Sequence, residues 1–385
     1  MSLPKITSVF LNLTNACNLA CRYCFVQHNP ERMELQTAKD AADFLADNAK
    51  ECGQTPSINF FGGEPMLMWD SIIVPLTEYI RGKYGDGYAL SMTSNCTLID
   101  RDRAEFMRRN YIGLLFSMDG DRESQERNRP MRNGESSFDV LMEKIPVILE
   151  YFPDVMFRST VTQDTAPNLY RDICFAEQLG FQEFFTIPNC FEDWHDTSIL
   201  KTEMRSYSDH YIRTLLSGKK PIIFSQLEKY FKKILLYNSA VRKEESRTSS
   251  MCKACGKCGL GSTRYAGINI NGDITACQEF FSRCDGYFTI GNIYTGVLDE
   301  RRVELSEQYD AEPVVGDHCD TCILNRICDG GCVANNYILS GNIHAMPHIC
   351  CEWNRILFEE AVYIMTQLGN ASCELFLERW RRAVG

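Results

Sequence analysis

The stretch Asn12-Leu-Thr-Asn-Ala-Cys17-Asn-Leu-Ala-Cys21-Arg-Tyr-Cys24-Phe-Val-Gln27 sets three cysteines in a C-x3-C-x2-C loop directly after an apolar run. Thiolates that close together can hold three corners of a cubane iron–sulfur cluster and leave its fourth iron without a protein ligand. An iron of that kind is open to a small molecule, so the loop reads as a chemical site and not only as an electron carrier. The competing reading is a structural zinc knuckle, for which His28 is the only nearby fourth ligand.

Working outward, the first half alternates apolar or β-branched runs with amphipathic segments, the pattern of a parallel sheet with crossover helices. Strands are expected near Ile6–Leu13, Ser57–Phe61, Tyr88–Thr93, Gly113–Met118, Val155–Val161 and Glu183–Ile187. Helices are expected near Thr37–Glu51, Ile72–Lys83, Arg101–Arg109, Phe138–Tyr151 and Leu169–Leu179, the last closed by Gly180 as its C-cap. Six such units make an α/β fold of the partial (β/α)6 barrel kind over residues 1–199. A helical, cysteine-free linker at 200–250, a cysteine-rich region at 251–351 and C-terminal helices at 352–385 complete the expected organisation.

The cysteine count separates this chain from ordinary soluble proteins. Disulfide frameworks of such density belong to short secreted chains, whereas this chain has 385 residues and an odd nineteen cysteines. It shows no signal segment, and metal ligation explains the cysteines better. Eleven of them fall between Met251 and Cys351, which suggests a region folded around metal. A formal charge of −11 excludes a phosphate-binding surface of the nucleic-acid type. No apolar run reaches membrane-spanning length, so no membrane partner is expected and the chain reads as cytoplasmic.

The C-x3-C-x2-C motif with Tyr23 before its third cysteine resembles the radical S-adenosylmethionine (radical SAM) superfamily. Gly62-Gly63-Glu64-Pro65, one unit later, resembles that family's GGE motif, which binds the amino group of the cofactor's methionine portion. The resemblance implies that Cys17, Cys21 and Cys24 hold the radical cluster. It implies further that Ser94, Asn95, Ser117 and Asp119, at strand ends, contact the ribose and the methionine carboxylate, and that Arg158 pairs with that carboxylate. Serine and asparagine at strand ends are also common turn residues. The implied chemistry is reductive cleavage of S-adenosylmethionine to a 5′-deoxyadenosyl radical that takes a hydrogen atom from substrate, with an electron donor such as flavodoxin or ferredoxin.

Cys319-x2-Cys322-x5-Cys328-x3-Cys332, followed by Cys350 and preceded by Gly272-x4-Cys277, resembles the SPASM pattern of radical enzymes that modify peptides or proteins. Gly291-Asn292-Ile293 also sits where that family has such a sequence. The resemblance implies two auxiliary clusters, and so three [4Fe–4S] clusters in all. One would be held by Cys252, Cys258, Cys277 and Cys332, the other by Cys319, Cys322, Cys328 and Cys350. Cys255 could replace Cys252, and Cys351 could replace Cys350. A pair of zinc sites is the alternative for the region. Cys52, Cys96, Cys174, Cys190, Cys284 and Cys373 read as small hydrophobes.

Within the SPASM group, sulfatase-maturing enzymes place an aspartate directly after the auxiliary-cluster cysteine as the base. Here Gln278 follows Cys277 and cannot take a proton in that role. Glu279 comes next, and on a strand it would face away. The expected activity is therefore modification of a ribosomally made peptide, forming a thioether from cysteine sulfur to carbon. Formylglycine formation is the alternative, and an iron–sulfur electron-transfer or redox-sensing protein the alternative of another class. Leader recognition is expected from a separate protein or from the helices.

Overall fold

The computed structural model describes residues 3–242, 258, 260–281, 286–324, 327–328 and 330–376. Cys252, Cys255 and Cys284 lie outside the described residues. Seven parallel strands run in chain order: β1 Ser8–Thr14, β2 Ser57–Gly62, β3 Ala89–Ser94, β4 Ile112–Ser117, β5 Phe157–Val161, β6 Glu183–Pro188 and the two-residue β7 Ile223–Phe224. Strand and helix alternate through β6, and the helices that connect them are α1 Leu35–Cys52, α2 Val74–Tyr84, α3 Arg101–Arg109, α4 Arg122–Asn128, α5 Ser137–Tyr151 and α6 Leu169–Leu179. The sheet is buried by these helices through Leu11, Ile58, Phe60, Phe116, Phe157 and Phe184, all without solvent contact. Gly180 ends α6 with φ +100°, the left-handed C-cap that its position in the sequence requires.

The second half does not begin a separate sheet. After α7 Ser198–Leu216 and α8 Ser225–Arg242, strand β8 Tyr265–Ile268 pairs parallel to the free side of β1, Ser8 opposite Tyr265. β9 Asp273–Thr275, β10 Thr289–Asn292 and β11 Gly296–Val297 then add antiparallel. The eleven strands form one open sheet with β7 and β11 at its edges. Both neighbours of β1 are therefore parallel, and the loop that leaves β1 emerges at the middle of the sheet. α9 Asp299–Ala311, α10 Val333–Ser340 and α11 His348–Asn370 follow, with α11 packed against α7 and α8. There Glu360, fully buried, accepts three hydrogen bonds from Arg205 of 2.9 to 3.1 Å.

Besides the short β7, which falls in the stretch expected to be helical, two elements depart from the sequence reading. The helix expected from Ile72 is preceded by a 3-10 turn at Pro65–Met68 and a π turn at Trp69–Ile73, and regular α geometry starts only at Val74 with Pro75 in the first turn. Helix α4 was not expected, because its sequence RESQERN has no apolar period; Asp121 caps it by accepting from Glu123 N and Ser124 N. None of the described helices is long and apolar enough to cross a membrane.

Candidate active site

The ends of β1 to β6 converge on a cavity of about 180 Å³ lined by Cys17, Cys21 and Cys24 together with residues of both halves. Its floor depends on two glycines. A Cβ on Gly62, at φ +139°, would sit 2.3 Å from the Thr14 carbonyl oxygen, and one on Gly63 would sit 2.2 Å from that of Ala16. The glycines thus let β2 close on the cysteine loop itself, and Gly63 N and Glu64 N donate to Thr14 O and Ala16 O at 2.7 and 2.9 Å. Glu64 is buried, and its carboxylate accepts from Met66 N, Ser94 Oγ and Asn95 N at 3.0, 2.7 and 2.8 Å. Burial raises its pKa against the pull of those bonds. Glu64 therefore ties the end of β2 to the end of β3.

The cysteine loop is held from the other side by the turn after α4. Ala20 N donates to Pro130 O and Arg22 N to Asn128 O, while Arg132 Nε donates to Cys17 O. Tyr23 OH donates to Asp119, whose carboxylate also accepts from Arg129 Nε at 2.7 Å and Thr160 N at 3.1 Å. Asp119 is buried and saturated by these partners, and it does not line the cavity. In this arrangement it ties the loop to β5 and to the turn after α4. Pro65 opens the 3-10 turn and does not line the cavity. Gly62, Gly63, Glu64, Ser94, Asn95, Ser117 and Arg158 do line the cavity. Ser94 and Asn95 reach it with polar groups already engaged by Glu64, Asn18 and Thr97.

Two groups in the cavity wall are free for a ligand. The Arg158 side chain has no hydrogen bond or ion pair among the described residues; it stacks 5.8 Å from the Phe185 ring, and burial followed by the charge of Arg129 lowers its pKa. His28 Nδ1 is 3.0 Å from Asn15 O, which leaves a buried Nε2 with no partner. With Nδ1–H donating, Nε2 is an acceptor. Burial, followed by Glu64, pushes Cys17 up to about 12, and burial pushes Cys21 to a similar value. Thiols in such surroundings lose their protons on binding a metal cation. The all-sulfur loop fits a cluster, and an unpaired guanidinium with an orphan acceptor elsewhere in the same cavity wall fits a polar ligand carrying a carboxylate.

The second half contributes directly to this cavity. Cys277 caps a 3-10 turn at Gln278–Phe280 that begins three residues past the end of β9, so strand alternation does not govern Glu279. The Glu279 side chain faces the cavity, and its charge bears on Arg158, Cys277 and Cys332. The expectation that it points away is corrected. Cys258, Cys277 and Cys332 are mutual neighbours. Cys319, Cys322 and Cys328 accept from the backbone N–H groups of Gly316, Leu324 and Gly330 at 3.0, 3.4 and 3.4 Å. Cys190, at the end of β6, lines the cavity and is hydrogen-bonded to Cys350. Arg129 and Cys190 were not foreseen as site residues, and Glu279 was weighed only as a displaced base. Glu279 carried a readable signal, two positions past Cys277, which the strand assumption discarded.

Residues 11–164 match the family described as the Radical SAM superfamily. The chain is 24% identical over 375 residues to the AdoMet-dependent heme synthase of Oleidesulfovibrio alaskensis, covering 90% of this chain and 87% of that one. It is 22% identical over 350 residues to the cysteine-type anaerobic sulfatase-maturating enzyme of Clostridium perfringens, with 86% and 89% covered. A solved structure of native anSMEcpe with bound AdoMet and Cp18Cys peptide superposes with a TM-score of 0.74 at 19% identity, over 94% of this chain and 99% of its own, a likeness of fold. The cysteine-rich second half is consistent with a SPASM region.

Proposed function

We propose that this chain, whose residues 11–164 match the Radical SAM superfamily, is a radical SAM enzyme acting on a peptide, in which it joins a cysteine sulfur to a carbon of another residue. Bound, the cofactor and clusters supply a carbon radical that removes a hydrogen atom from the peptide, leaving as 5′-deoxyadenosine, and an iron–sulfur acceptor for the electron that the new bond releases. Cys17, Cys21 and Cys24 would hold the radical cluster. Arg158 meets the methionine carboxylate, and His28 Nε2 accepts from an N–H or O–H of the same ligand. Phe25, Phe61 and Phe191 wall the cavity and keep water from the reacting carbon.

The observation that carries the reading is Glu279, a carboxylate in the same cavity as the three loop cysteines and beside Cys277. It takes the proton of the substrate thiol. Sulfur then attacks carbon, and the peptide loses two hydrogens overall. The peptide bound in the anSMEcpe structure supports a substrate of this class.

The same carboxylate favours a second reading. A base at Glu279 also serves formylglycine formation, as in the sulfatase-maturating relative. Anaerobic turnover of a cysteine-containing peptide, read by mass spectrometry, separates the two. A loss of two hydrogens with the cysteine blocked to alkylation is expected; loss of the sulfur would establish the second reading, and heme formation with no peptide product would overturn both. Glu279→Gln should abolish the product while 5′-deoxyadenosine still forms, because proton removal is separate from radical formation.

A further inference from the structure

The sulfurs expected to bind iron in this chain share a local device. Cys17, Cys322 and Cys328 each accept the backbone N–H of the residue two positions on, at 3.4 Å, and Cys258, Cys277 and Cys332 do the same from Leu260, Glu279 and Ala334. Cys319 accepts from Gly316 N at 3.0 Å. Such donors favour a thiolate and offset the negative charge of an all-sulfur cluster.

At the start of α11 two adjacent cysteines compete for the last place in the second set. Neighbouring helix positions point about 100° apart, so only one of them can face the set. Cys351 accepts the backbone N–H of Asp317, and the sulfurs beside it are Cys319 and Cys328. A Cβ on Gly316 would lie 2.1 Å from Cys351 Sγ and 3.9 Å from Cys319 Sγ, so both sulfurs gather on the same side of Gly316, where a side chain would collide with Cys351. Arg355 is hydrogen-bonded to Cys322 and lies in the field of Cys351 as well. Cys350 turns elsewhere: it is hydrogen-bonded to the Cys190 thiol, with Cys332 beyond.

We propose that Cys351, with Cys319, Cys322 and Cys328, completes a four-thiolate [4Fe–4S] site, and that Cys350 stands outside it as a thiol paired with Cys190 on the wall of the reaction cavity. This rests on reading the second half as the holder of two auxiliary clusters. It reverses the ligand that spacing alone favours.

The test is iron and acid-labile sulfide content of the anaerobically reconstituted full chain. Three clusters give about twelve irons. Cys351→Ala should lose about four of them, and Cys350→Ala should keep the wild-type content. Loss in Cys350→Ala with retention in Cys351→Ala, or equal behaviour of the two, overturns the assignment while leaving the clusters in place. A wild-type content of about four irons would instead overturn the auxiliary clusters themselves, and the assignment with them. A second measurement needs no variant. Diamide, which takes two electrons and two protons from a pair of thiols, should give a Cys190–Cys350 disulfide in peptide maps of the holoprotein. An unlinked Cys190 and Cys350 would count against a free thiol at 350.

Discussion

A guanidinium in a buried cavity with no hydrogen-bonded counter-ion is costly unless a ligand supplies one, and the Arg158 side chain is in that position, although the charge of Glu279 bears on it. Its neighbour Arg129 is already neutralised by Asp119, so an incoming carboxylate is drawn to Arg158. Arg158→Gln should weaken S-adenosylmethionine binding between about 10-fold and 100-fold, the worth of one charged hydrogen bond. Equilibrium binding to the reconstituted protein checks this, with unchanged iron content showing that the cluster survives. An unchanged affinity would place the carboxylate elsewhere. At this scale the sequence was most informative for cysteines, whose spacing is itself chemistry. It was least informative for Asp119 and Glu64, because nothing in a one-dimensional order tells whether a carboxylate meets ligand or protein.

Among the elements, the one that governs the cysteine loop is the segment from α4 to α5, which the sequence concealed. Its helix has no apolar period, and its role is to present backbone carbonyls of Asn128 and Pro130 and the Arg129 side chain to the loop. Asp119 is the joint: it receives Tyr23 from the loop, Arg129 from the segment and Thr160 N from β5. Asp119→Ala leaves the Arg129 guanidinium buried without a partner, a loss of about 3–5 kcal/mol. The radical cluster should then be lost selectively, with the iron of the second half retained. Spectra of the reduced variant measure this, and equal loss of all clusters would show that the joint serves the whole fold and not the loop. The parallel strands were legible because buried β runs are apolar on both faces. The junction of β8 with β1 was not, because four residues of Tyr-Ala-Gly-Ile carry no mark of which edge they will join.

For the molecule as a whole, that junction decides that the radical-forming and cysteine-rich halves share one sheet, which is why Glu279 reaches the cavity of the first half. Arg302 on α9 fastens it. The side chain is buried and donates to Gly261 O, Thr263 O and Pro4 O at 2.7, 3.0 and 2.8 Å, joining the N-terminal segment to the strand that follows Cys258. Its bond to Asp299 is with an exposed partner and counts for little. Arg302→Ala strands three carbonyls at about 1 kcal/mol or more each, which in a chain of this size lowers the melting temperature by on the order of 5 °C. The loss should fall on the junction first: hydrogen exchange in β8 and β9 should rise before that in β2 to β5. Uniform exchange across the sheet would mean that the halves unfold as one body, and that Arg302 stabilises the whole rather than the seam.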